Sequence, residues 1–404
     1  MSNFVAMKSI DRIIHHLMIC LAPAFFAACS GSDEPAAPVT PVEPPPTPAH
    51  RTVLVYMVAN NNLSSFAADD MAEMKTGVSR LGDRADGRWL VYYSGPDLRP
   101  RLIELLADGT ERELKEYDTA ESSVSIARMR RVVSDARELA PADGLGLVLW
   151  SHGTGWISDT GSINEPSEAS DMMSPLSFGM DGRLTMKISS LRRGLEGNSF
   201  DFIYFDCCHM ATVEVAYELR HLTPRIVASP TELGVEGMPY DLNVASLLAA
   251  QADLAGALAN TFGFYERQLA ADDPLSPGYG CCISLLNTAA LDDLAAATRD
   301  IYLSGATTPD SYVEVPYYRV GITSGICDMR HHMRAICTDP ALLARWETAF
   351  SNVVMTTRTT PEVYFLQADD FAGLGHNVIR SGTDTAKGYT ELQWWTDVAS
   401  NISF

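Results

Sequence analysis

Two short stretches of this 404-residue chain carry side chains suited to nucleophilic and proton-transfer chemistry. In GLGLVLWSHGTGW (144–156), His152 follows directly on an apolar run, and Gly153 and Gly155 then permit tight backbone turns. A histidine so placed stands at the mouth of a sheet, not in its core. In FDFIYFDCCHMATVEVAYELR (200–220), Cys207 and Cys208 fall where a strand-like run gives way to helical spacing at Met210, Val213 and Tyr217. A thiol at a helix N-terminus feels the positive end of the dipole, which lowers its pKa and raises its thiolate fraction. Brought together, the two stretches would supply a sulfur to attack a carbonyl and an imidazole to carry its proton to the leaving amine. The backbone N–H of Gly153 and that of the nucleophile are natural donors to the developing oxyanion. Each stretch also has a plainer reading: a turn histidine in one, two small buried apolar residues in the other.

The elements that must position these residues alternate along the chain. Short β-branched and aromatic runs read as buried strands at 52–59, 89–93, 144–150, 200–206, 225–229 and 281–286, and LIELL at 102–106 reads as the second arm of a hairpin. Between them, Leu63, Ala67, Met71 and Met74 recur at helical spacing, as do Ile126, Met129, Val133 and Ala136. This alternation predicts an α/β fold with a mainly parallel sheet covered on both faces, whose functional sites gather at the carboxyl ends of the strands. The part from about 291 to 404 reads as a more helical extension packed on the same domain, with helices at 290–303 and within 340–356.

Composition narrows the possibilities further. An apolar fraction of 46% and a charged fraction of 20% are those of a globular protein. A net charge of −21 argues against nucleic-acid binding, favours solubility and is compatible with cationic partners. The eight cysteines form no dense disulfide scaffold, and no CxxC pair suggests a zinc site or a thioredoxin-like redox centre.

Residues 1–28 read as an export signal, with Lys8 and Arg12 ahead of an apolar stretch too short and interrupted for a comfortable membrane span. The stretch ends FFAAC, which resembles a bacterial lipobox; the resemblance implies cleavage before Cys29 and lipid attachment to its thiol. Residues 29–50, rich in proline and acidic residues, read as an extended tether. The expected location is the cell envelope, lipid-anchored, facing the periplasm or exposed on the outer membrane.

The motifs themselves resemble those of a known family. SHGTGW (151–156), DCCHM (206–210) with VE and YEL downstream, and YMVANNNL (56–63) look like the clostripain family of cysteine peptidases, which shares a clan with caspases, legumains and gingipains. FGMDGRLTMKISSLRRGL (178–195) and ASPTELGVEGMPYD (228–241) resemble its intervening and post-catalytic segments. The resemblance implies a three-layer α/β/α caspase-like fold over residues 51–404, with a catalytic core at about 52–290. It also implies a cysteine endopeptidase cleaving after Arg or Lys.

Aligning Asp206 and Met210 with the family motif Asp-Ala-Cys-Leu/Asn-Met makes Cys208 the nucleophile and His152 its partner, with Gly153 and Cys208 supplying the oxyanion donors. Cys207 then takes the alanine position and His209 the leucine position; a helix there would turn His209 away, to solvent or a rim contact. The resemblance puts Asp206 in the pocket for the basic side chain; its alternative role is to cap a helix beginning at Cys208. Glu236 aligns with a second acidic pocket position, although ELG stands at 232–234 where the family has EPG.

Family members often mature by self-cleavage after a basic residue between the two catalytic motifs. Residues 157–182 contain no Lys or Arg and Arg183 is the first, so no self-cleavage is expected within 157–182. No cofactor is implied; calcium matters to some relatives, but no loop here resembles an EF-hand. Protein or peptide substrates and a monomer are expected. The competing reading is a catalytically decayed caspase-like scaffold acting as a surface binding lipoprotein.

Overall fold

The computed structural model describes residues 49–402 except 83–85, 97, 158–176, 272–277, 306–325, 365, 369 and 380–387. The leader, Cys29 and almost all of the tether therefore lie outside the described residues, as does most of 157–182. In chain order the elements open with β1 (Ala49–Val58), α1 (Ser64–Leu81), β2 (Gly87–Ser94), β3 (Arg101–Leu105) and β4 (Glu111–Glu116). Next come α2 (Ile126–Leu139), β5 (Ala142–Trp150), the small hairpin β6 (Phe178–Asp181) and β7 (Leu184–Met186), α3 (Ile188–Leu195), β8 (Phe202–Asp206), α4 (Val213–Leu219) and β9 (Arg225–Ala228). Then follow α5 (Tyr240–Leu248), α6 (Leu254–Ala271), β10 (Cys282–Asn287), α7 (Leu291–Leu303), β11 (Ile326–Asp328), α8 (Met329–Ile336) and α9 (Pro340–Val353). The last strands are β12 (Val354–Thr359), β13 (Glu362–Val363), β14 (Leu366–Gln367) and β15 (Gly375–Asn377).

Nine strands form one sheet in the order β12-β10-β9-β8-β5-β1-β2-β3-β4. Its five central strands, from β9 to β2, are parallel, and each edge is closed by antiparallel strands. Strand side chains alternate between faces, so one strand feeds two cores. From β1, Val53, Val55 and Met57 pack with α1, α5 and α6 residues such as Met74, Val244 and Leu258. Leu54, Tyr56 and Val58 pack on the opposite face with Met129 and Val133 of α2 and Leu191 of α3. The result is the three-layer α/β/α arrangement that the alternation predicts. The helix at α2 begins where Ser125 accepts a hydrogen bond from the Arg128 N–H at 3.0 Å, and it buries Met129, Val132, Val133 and Ala136 along one stripe.

The part beyond 291 is the more helical one, carrying α7, α8 and α9, and it also adds β12 to the central sheet beside β10. Two expectations need correction. The tether does not run to residue 50, because Ala49 and His50 already belong to β1. The helix after β8 begins at Val213, not at Cys208: Thr212 caps it by accepting from the Val215 N–H, and residues 207–212 form a loop.

Candidate active site

The site follows from strand register. β5 and β8 are parallel neighbours with Trp150 opposite Asp206, and neighbouring strands run about 4.8 Å apart. His152 lies two residues beyond Trp150 and Cys208 two residues beyond Asp206. The same count therefore carries both side chains off the carboxyl edge at adjacent points. His152, Gly153, Asp206 and Cys208 line one cavity of about 180 Å³, together with Leu63, Glu232, Leu233 and Tyr364. That volume suits one side chain of a larger ligand better than a whole small molecule.

The β5 exit is held from several sides. The Ser151 hydroxyl donates to the Val58 carbonyl at 2.8 Å and accepts from the Met180 N–H at 3.1 Å, tying β5 to β1 and β6. The Gly179 N–H donates to the His152 carbonyl and the Thr154 N–H to the Ser177 carbonyl, so these bonds flank Gly153 without engaging its own N–H. Gly153 must be glycine: a Cβ there would lie 2.6 Å from the Cys208 carbonyl oxygen and 2.9 Å from the Cys207 Cβ. His152 Nε2–H donates to Asn62 Oδ1 at 2.7 Å. A neutral ring donating through Nε2 keeps its lone pair on Nδ1. Partial burial pushes the His152 pKa below its ordinary value, which favours this neutral form.

Alternation across the sheet separates the two cysteines. Cys207 points into the core on the α2 side, where its thiol donates to the Leu149 carbonyl at 3.1 Å and burial raises its pKa well above the usual thiol value. A thiol so held is a poor nucleophile. Cys208 faces the cavity half-buried; the Leu233 N–H donates to its Sγ at 3.4 Å. The helix starts five residues later, at Val213, so Cys208 does not stand at its N-terminus as the sequence suggests.

His209 is also not where the sequence suggests. It is buried with φ of 60°, its N–H donates to the Thr231 carbonyl at 2.8 Å, and its Nδ1 donates to the Pro230 carbonyl at 3.1 Å. The loop conformation turns it into the protein and makes it a clamp between the 207–212 loop and residues 230–231.

Asp206 caps no helix. Its carboxylate floors the cavity, accepting from the Met238 N–H at 3.0 Å and the Tyr240 hydroxyl at 2.9 Å. Gly237, at φ of 63°, permits this approach, because a Cβ there would stand 2.7 Å from the carboxylate. Burial pushes Asp206 up to about 7, with Glu73 adding to the rise. Behind it, Asp70 accepts from the Trp150 indole N–H at 2.7 Å and is pushed to about 9, first by burial and then by the Asp206 charge. The two titrate as a pair. Glu236 sits in the loop over the cavity but is not among the lining residues; its Oε2 is buried without a hydrogen-bond partner among the described residues.

Several site residues were not assigned a role from sequence. Asn62 lies in the NNN run at the end of β1. There Asn60 donates to Asp181, Asn61 donates to the Val58 and Met180 carbonyls, and Asn62 meets His152. Three consecutive amides after a buried strand are the signal that could have singled it out. Tyr364, from beyond 291, reaches the cavity with φ of 55° and donates to the Leu233 carbonyl at 3.1 Å. Nothing local in sequence foretells it.

Comparison with known proteins bears on this arrangement. The sequence model of the clostripain family matches residues 55–333. A secreted C11 cysteine protease from Bacteroides thetaiotaomicron, solved in complex with an irreversible peptide inhibitor, is 27% identical with a TM-score of 0.74 over 87% of this chain and 99% of its own. An inactive zymogen C11 protease from Parabacteroides distasonis is 26% identical with a TM-score of 0.73 over 87% of this chain and 99% of its own. No curated protein sequence matches the chain. Fold and family thus define a cysteine-type peptidase on a caspase-like scaffold, and they do not favour a decayed binding module. The chain belongs to the clostripain family. Among the described residues, no helix is long and apolar enough to cross a membrane.

Proposed function

We propose that the protein is an endopeptidase that cuts after Arg or Lys, with Cys208 as nucleophile and His152 as general acid and base. The observation that carries this reading is the shared register of β5 and β8, which brings both side chains to one cavity floored by Asp206. His152 Nδ1 accepts the Cys208 thiol proton as Sγ attacks the carbonyl carbon. The oxyanion accepts hydrogen bonds from the Gly153 and Cys208 N–H groups. His152 then gives its proton to the leaving amine, and a thioester remains on Cys208. Water, deprotonated by His152, attacks the thioester; the acid product leaves and the thiol is restored. Asn62 holds the ring in the tautomer this sequence needs.

Asp206 supplies the negative charge for a guanidinium or ammonium group, and the unpartnered Glu236 oxygen offers a second acceptor nearby. Cys29 is the proposed lipid-attachment site that would hold the enzyme at the cell envelope. Intact mass of detergent-extracted protein would show the acyl groups, and Cys29→Ala would release it from membranes. For the chemistry, fluorogenic peptides ending in Arg, Lys or a neutral residue provide the test. Cys208→Ala should abolish turnover and Cys207→Ala should largely keep it; the reverse pattern, or no turnover of any peptide by the mature enzyme, would defeat the assignment.

A further inference from the structure

A second group of buried donor side chains lies behind the nucleophile loop, and the peptidase chemistry does not use it. Cys327 in β11 stands directly opposite His376 in β15, and His332 comes from the helix α8 that follows β11. Residues opposite each other on an antiparallel pair share a face with Cβ atoms about 5 Å apart. All three side chains are buried, and one donor atom from each lies within 4.8 Å of the others. The two rings face each other, with His332 Nδ1 and His376 Nε2 at 2.8 Å.

Two neutral imidazoles share one proton across that contact, one facing nitrogen donating and the other accepting.

We propose that Cys327, His332 and His376 bind a zinc ion. One sulfur and two imidazole nitrogens are the donor set that borderline-soft zinc accepts in tetrahedral geometry. With metal–nitrogen bonds near 2.0–2.1 Å, the facing nitrogens need part by only roughly half an ångström. On binding, the proton between the rings would shift to the far nitrogen of the ring that carried it, so both rings ligate neutral; the Cys327 thiol proton would pass to solvent, and water would take the fourth position.

Its role would be structural and directed at the active site. The Gly375 N–H, in the same short strand as His376, donates to the Ala211 carbonyl at 2.9 Å, and Gly375 bridges to Thr212. Ile326, beside Cys327, packs where a Cβ on Gly155 would lie 3.4 Å from its Cδ1. The ion would therefore brace the loops that carry both His152 and Cys208.

The test uses the mature chain with Cys208→Ala, so that the reactive thiol contributes no donor. The protein is unfolded in chelator, refolded with zinc or with cobalt, and freed of loose metal. The proposal expects about one zinc per chain, tetrahedral cobalt bands with a thiolate charge-transfer band, and loss of both in Cys327→Ser and His376→Ala. A folded parent that holds no zinc and shows no thiolate–cobalt band would overturn it, as would undiminished binding in both variants. Should the variants not fold, alkylation of the parent with mass mapping decides. Zinc protection of Cys327 supports the site, and equal labelling with and without zinc overturns it.

Discussion

Asp206→Asn isolates the charge that the proposed specificity depends on. The substitution keeps the shape of the side chain. Its amide oxygen can still accept from the Met238 N–H, and its NH₂ can donate to the Tyr240 hydroxyl, so the cavity floor should survive. What disappears is the partner of a buried guanidinium or ammonium. Removing one member of a desolvated charge pair costs about 2–5 kcal/mol, or roughly 30-fold to 5,000-fold in kcat/KM. Peptides with a neutral residue before the scissile bond should change only a few-fold.

The pH profile adds an independent reading. Burial holds the free Asp206 carboxyl near 7, so kcat/KM for basic peptides should climb through neutral pH as the carboxylate forms. Neutral peptides should instead show only the His152 limb, which burial shifts below its ordinary position. In the Asn variant the limb near 7 should vanish for basic peptides. Equal loss on both substrate classes, or persistence of that limb in the variant, would refute the assignment of Asp206 to specificity.

Asn62→Ala should lower kcat about ten-fold with little change in KM, the worth of one hydrogen bond to a working imidazole; Asn62→Asp should move the His152 limb to higher pH, and an unmoved profile would argue against contact in solution. Asp70→Asn should stabilise the fold in a pH-dependent way. The folded-state pKa of about 9 lies far above the unfolded value, so the native state keeps a proton that the unfolded chain loses above about pH 4. Native stability therefore falls as pH rises toward 9, and a side chain that cannot ionise escapes the fall. Unfolding free energies from denaturant titration should nearly coincide at about pH 4, and at about pH 8 the variant's should be higher by on the order of a few kcal/mol; a gain independent of pH would contradict the buried-acid account. Intact-mass analysis of active enzyme should show no self-made nick within 157–182. Arg183 stands exposed in the turn between β6 and β7 and is the first position where such a cut could fall.

The placing of the candidate site was legible in sequence where it coincides with strand ends. Apolar runs such as 144–150 and 200–206 have a sharp period and abrupt limits, so counting to the residues beyond them locates His152 and Cys208. The same period separates Cys207 from Cys208, because consecutive residues leaving a strand face opposite ways. What failed was the backbone after the strand. Met210, Val213 and Tyr217 fit helical spacing, yet His209 takes a left-handed conformation and the helix waits for Thr212. Spacing of apolar residues does not record where a chain turns before it begins to coil. Contacts between segments distant in sequence were equally hidden: Tyr364 over Leu233, Asp70 behind Asp206, and His376 opposite Cys327. Each depends on which strands become neighbours, which local pattern does not encode.

The acid pair shows how the site and the fold pull against each other. A floor proposed to attract a cation must be dry to be selective, and dryness raises the cost of its own charge. Here two hydrogen bonds to Asp206 offset part of that cost, while burial raises the pKa of both Asp206 and Asp70 behind it. A basic side chain entering the cavity would favour ionisation of Asp206. Binding and proton release are then one event, so affinity for basic substrates should carry a proton-linked dependence that no surface carboxylate would show.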